Sequence, residues 1–159
     1  MLERCLKQVD LDLCSQHNSD VNLSKKVVSF LLGLDSSHLQ HITFGTLFQV
    51  LSIDSDDEVA YSHLVKVTDY LTSYRLHLLD MQFHFIDSEL SDPFPVDKSE
   101  LHQALKSGLF YHPLTGLEVF DFKDRIYPYF EPSEELQQYR AGDYSLLAAI
   151  LKSESNSDL

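Results

Sequence analysis

The sequence predicts a mostly helical α+β fold, on three observations. Apolar residues recur at intervals of three and four through residues 2–13, 23–34 and 60–74, the repeat of helices with one buried face. The period then drops to two, with Leu79, Met81, Phe83 and Phe85 alternating with Asp80, Gln82 and His84, as a half-buried strand requires. Finally, 43% of the 159 residues are apolar, with ten Phe and eight Tyr among them, enough to offset the entropy of ordering one domain.

In chain order, Leu2, Cys5, Leu6, Val9 and Leu13 predict an amphipathic helix, and the polar stretch from His17 to Asp20 reads as a loop. Residues 1–21 thus form an N-terminal helix and loop. Leu23, Val27, Phe30, Leu31 and Leu34 line a second helix, which Gly33 and Asp35-Ser36-Ser37 end. Phe44, Leu47, Phe48 and Leu51 make a shorter stripe. Ser52 to Asp57 is an acidic turn, suited to start a third helix because carboxylates complement its positive dipole end. Ala60, Leu64, Val67, Leu71 and Tyr74 mark that helix's buried face. Leu76 and Leu78 sit on the other parity from the strand, which places a turn or bulge near Leu78-Leu79. Ser88 to Pro95, with two prolines and two acids, reads as a loop. Helix, short helix, helix and hairpin is the order of a winged-helix domain, expected over residues 22–90.

Residues 91–152 are expected to pack on that domain as an extension, with 153–159 a flexible tail. A helix over 96–108 has Asp97 as cap, Glu100 reaching back, Val96 stapled to Leu101 and Gly108 as the stop. Phe110-Tyr111 and Val119-Phe120 flank a turn containing Pro113 and Gly116, the pattern of a hairpin. Arg125 to Pro132 is extended and packs through its rings. Ser133 caps a short helix ending at Gly142, and Asp143 caps a last one carrying Leu146, Leu147, Ile150 and Leu151.

Charge narrows the function classes. Twelve Lys and Arg face 25 Asp and Glu, a formal net charge of −13. Such a chain repels phosphate backbones and anionic lipid surfaces, so neither direct nucleic-acid binding nor membrane binding is expected. The exposed face of the third helix would present Glu58, Ser62, Lys66, Asp69 and Ser73, and one lysine between acids does not make a base-reading helix. No stretch approaches the ~20 apolar residues of a membrane span. Two cysteines make no disulfide framework and no N-terminal signal pattern is visible, so a reducing cytoplasm is the expected compartment.

Reaction chemistry is equally sparse. There is no Gly-rich phosphate loop, and none of His63, His77, His84 and His112 belongs to a recognisable nucleophile motif. Cys5, Cys14, His17, His38 and His41 have suggestive spacings but lack the paired CxxC of a zinc site. No catalytic residue, metal or cofactor is therefore expected. What remains is surface recognition. Tyr127, Tyr129 and Phe130 either close the core or anchor a partner, and Leu147, Ile150 and Leu151 pose the same alternative. Asp56, Asp57 and Glu58 would steer a basic partner.

Two resemblances bear on this. Ile42-Thr43-Phe44-Gly45-Thr46-Leu47-Phe48 resembles the core motif of the Costars family, small winged-helix-like proteins linked to actin regulation. Thr68-Asp69-Tyr70-Leu71-Thr72-Ser73 stands where that family has a basic stretch and a Gly-containing strand, so only the topology is implied. In size, acidity and element order the chain also resembles the winged-helix accessory subunits of SMC-like ATPases, including the middle components of bacterial defence systems. That resemblance implies an adaptor subunit, whose partners would be an SMC-like ATPase and an effector. The two other expectations are an acidic inhibitor or immunity protein of a nuclease, and a winged-helix transcription regulator.

Overall fold

The computed structural model describes residues 2–15, 18–34, 38–138 and 140–141. The chain is α+β: helices α1 (Leu2–Asp12), α2 (Asn18–Gly33), α3 (Phe44–Leu51) and α4 (Glu58–Thr72) precede strand β1 (Leu79–Phe85). Strand β2 (Phe94–Val96), helix α5 (Lys98–Ser107), a 3-10 turn (Phe122–Asp124) and strand β3 (Ile126–Pro132) follow. Residues 134–138 begin a further helix. The terminal helix expected from Tyr144, with Leu147, Ile150 and Leu151, and the tail 153–159 lie outside the described residues.

Local signals explain most boundaries. Thr43 and Thr46 form a reciprocal capping box at the start of α3, and Ser52 ends that helix in the left-handed region at φ 54°. Asp57 caps α4 by accepting from the Val59 and Ala60 N–H groups. Asp97 does the same for α5 through Ser99 and Glu100, and Gly108 closes it at φ 77°, a conformation that glycine adopts without strain.

Four local expectations are corrected. Tyr74, expected on the buried face of the third helix, lies beyond the end of α4 at Thr72 and is 88% exposed. Asn18 to Asp20, read as loop, form the first turn of α2, where Asp20 complements the helix dipole. Phe94 and Pro95, read as loop, belong to β2, because pairing with β1 at Phe83↔Val96 buries Val96 in an apolar cluster. Pro95, which has no N–H to give, is tolerated because β2 is an edge strand. The hairpin expected around His112–Gly116 narrows to one bridge, Tyr111↔Glu118. His112 Nδ1 accepts from the Leu114 and Thr115 N–H groups and holds the turn in a tighter form.

The sheet is antiparallel, in the order β2-β1-β3. Ile42 adds a single bridge to Phe130, on the side of β3 away from β1. The third strand thus comes from 126–132, within the stretch expected to be an extension. One face of β1 serves two cores. Leu79 and Met81, with Phe130, pack on the helices, joining Val27, Leu31, Leu47, Leu64 and Leu71. Phe83 and Phe85, with Ile126, pack on a smaller cluster of Val96, Leu101, Phe110 and Phe122. Arg140 donates to the Leu31 and Leu34 carbonyls and pins the last described residues to the C-terminal end of α2, whose partial negative charge it complements.

Candidate functional site

The candidate site forms where β3 meets the starts of α3 and α4. Along β3 the side chains alternate. Phe130 turns inward: it is fully buried and meets Phe44 edge-on, ring centroids 5.3 Å apart. Its N–H and C=O both bond Ile42, at 2.6 and 2.9 Å. Tyr129 lies on the opposite face, buried, and stacks with His84 (4.0 Å) and His41 (4.6 Å), themselves 5.4 Å apart. Tyr127 stays 51% exposed.

These rings border a groove of about 430 Å³. Phe44 and Gly45 supply one wall, Tyr61 of α4 a second, and His84, Tyr127 and Tyr129 the sheet side. Tyr61 is 45% exposed and leans against Phe44 and Phe48, centroids 5.7 and 5.9 Å away. A Cβ built on Gly45 would meet only Thr43 Oγ1, at 3.5 Å, so the missing side chain leaves the groove open rather than relieving a clash. Burial, reinforced by the neighbouring His41, holds the His84 imidazole below its ordinary pKa. Burial and then the Glu131 carboxylate push the Tyr129 phenol up.

The edge of β3 narrows what can bind there. Backbone groups point alternately to the two sides of a strand, so Pro128, two residues from Phe130, turns its backbone to the same outer side. Proline has no N–H, so strand addition at this edge is poorly supported.

The residues singled out from sequence fall into three groups. Tyr127 and Tyr129 line the groove, whereas Phe130 is a core residue that fixes the strand behind it. Asp56, Asp57 and Glu58 are exposed at the start of α4, and Tyr61 donates its N–H to the Asp57 carbonyl at 2.9 Å. The acids therefore stand within one helical turn of the groove. Two neighbouring carboxylates there also bond backbone: Asp57 caps α4, and Asp54 accepts from the Asp56 N–H. Leu147, Ile150 and Leu151 lie outside the described residues.

Sequence reasoning missed His41, Phe44, Tyr61 and His84 as groove residues, since no local pattern joins residues so far apart. It also assigned no surface role to Leu109, Leu114, Leu117 and Phe120, which flank the His112 turn in sequence and are each exposed, Phe120 at 86%. Large apolar residues in a Pro- and Gly-containing turn were the available signal.

A second cleft, about 490 Å³, lies where the end of α1 and the start of α2 meet α4, with Asp12, Asp20, Lys66, Asp69 and Arg75 among its lining. Tyr70 donates to Asp12 at 2.8 Å, and burial followed by that bond pushes its phenol up. Asp20, 3% exposed, pairs with His63, while its other oxygen and the Ser24 hydroxyl are buried with no hydrogen-bond partner among the described residues. Among the described residues no three His, Cys, Asp or Glu side chains are placed to hold a metal, and no helix is long and apolar enough to cross a membrane. No protein-family model, curated protein or solved structure matches this chain.

Proposed function

We propose that the protein is a non-catalytic adaptor whose partner docks in the aromatic groove. The observation that carries this reading is the convergence of Tyr61 and Tyr127, 66 positions apart in sequence and each about half exposed, on one apolar groove. Exposed tyrosines around a recess are the usual anchors of protein interfaces, because a rigid ring buries much area at small entropic cost. A net charge of −13, with acids at the start of α4, favours a basic partner.

The element order supports a winged-helix topology. Ile42 lies beside β3 and β3 beside β1, with residues 86–125 inserted where a wing would turn. On that topology the adaptor is an accessory subunit of an SMC-like ATPase assembly of the defence type, acting in the cytoplasm. The short acidic turn, with carboxylates already engaged by backbone N–H groups, supports this reading over nucleic-acid mimicry.

The test is affinity capture of the tagged full chain from its host, with Tyr61→Ala/Tyr127→Ala and Gly45→Leu alongside. A stoichiometric protein should be recovered by the wild type and lost with both variants, circular dichroism remaining unchanged. Retention by both variants, or recovery of nucleic acid with no protein, would overturn the proposal.

A further inference from the structure

Resting on that docking reading, we propose that the groove receives an arginine side chain of the partner, its guanidinium stacked on Tyr61 and Tyr127. The walls are rings: Phe44, Tyr61, Tyr127 and Tyr129, with the imidazoles of His41 and His84. Aromatic faces carry negative electrostatic potential and attract a cation laid over them. No Lys or Arg of the described residues lines the groove, so no lysine or arginine of its own walls lies over Tyr61 and Tyr127. The imidazoles do not compete, because each is engaged in the stack with Tyr129.

Charge points the same way. Asp54, Asp56, Asp57 and Glu58 stand at the α4 end, in an exposed turn that raises the local concentration of a basic segment. Ile86 and Pro93 also line the groove and suit the aliphatic stem of a long side chain. Strand pairing is poorly supported because Pro128 holds the outer edge of β3, which favours a side chain as the anchor. Arginine fits better than lysine. A guanidinium is planar, weakly hydrated and stacks flat on a ring, whereas an ammonium keeps its water shell.

The test is a titration of the isotope-labelled full chain, followed by amide NMR. The probes are three peptides, acetyl-Gly-Ser-Xaa-Ser-Gly-amide, with Xaa arginine, citrulline or lysine. Citrulline has nearly the shape of arginine without its charge. The arginine peptide should shift the amides of Gly45, Tyr61, His84 and Tyr127, and bind about fivefold or more tighter than either of the others. Tyr127→Leu, which keeps apolar bulk but removes the ring, should erase that preference while the remaining spectrum stays in place. Citrulline or lysine binding as tightly as arginine would overturn the proposal, as would groove amides that do not move at millimolar peptide. If Gly45→Leu abolishes partner capture while arginine and citrulline peptides bind alike, docking at the groove stands and the guanidinium is wrong.

Discussion

His84 lies on β1 and His77 two residues before that strand begins, and their protonation pulls stability in opposite directions. His84, held below 6.5 mainly by burial and then by His41, binds fewer protons folded than unfolded. Its contribution is full above pH 6.5 and is lost as pH falls below that value. His77 donates to Asp80 at 2.8 Å and sits 3.0 Å from Glu135, and the Asp80 bond is the main cause that raises its pKa above 6.5. The folded state therefore binds more protons there. That contribution is full below pH 6.5 and is lost as pH rises through the raised value. His77→Gln should accordingly lose more stability at pH 5.5 than at 8.5, and His84→Gln more at 8.5 than at 5.5. Urea unfolding at the two pH values checks this, and a common trend in both variants would refute it.

At the scale of elements, the acidic turn before α4 holds both a capping carboxylate and exposed ones without a capping bond. Asp57 accepts two backbone N–H bonds at the first turn, whereas Asp56 and Glu58 are exposed with no capping role. Asp57→Ala should cost about 1 kcal/mol of stability, the usual loss of an N-cap. Asp56→Ala and Glu58→Ala should stay within about 0.5 kcal/mol and act on partner association at low salt. Denaturant midpoints of the three variants decide it; equal losses would mean that the turn acts as one structural unit. This element was legible beforehand, since a carboxylate before an apolar repeat is a local signal. The Asp97 cap and the Gly108 stop of α5 were legible for the same reason. β2 was not, because three residues containing a proline have no periodicity to read, and only pairing with β1 makes them a strand.

At the scale of the molecule, one sheet face joins two cores of unequal size. Phe130 binds the sheet to the helical core, and Phe122 belongs to the smaller cluster around α5. Truncating either buried ring should cost about 3–5 kcal/mol. The two losses should differ in reach. In Phe122→Ala, hydrogen exchange should quicken at Leu101 and Ala104 while Val27, Val28 and Leu31 keep their protection. In Phe130→Ala, both sets should lose it. Equal loss everywhere in Phe122→Ala would show the two cores to be a single cooperative unit.

By itself the sequence determined the mixed α+β class, the helical stretches of α1, α2, α4 and α5, the acidic start of α4, the Asp97 and Gly108 ends of α5, the period-two run of β1 and the strongly acidic balance. Each is written in neighbours within a turn or two, so local periodicity, capping chemistry and composition suffice to read it. Tertiary structure alone decided that β3 rather than a closer segment pairs along the whole of β1, that Ile42 bridges Phe130, and that Tyr129 turns to His41 and His84 while Phe130 enters the core. It also decided that Tyr61 and Tyr127 share a groove. Strand register and the meeting of distant rings depend on which apolar faces find one another across long loops, and that competition leaves no mark in the spacing of adjacent residues.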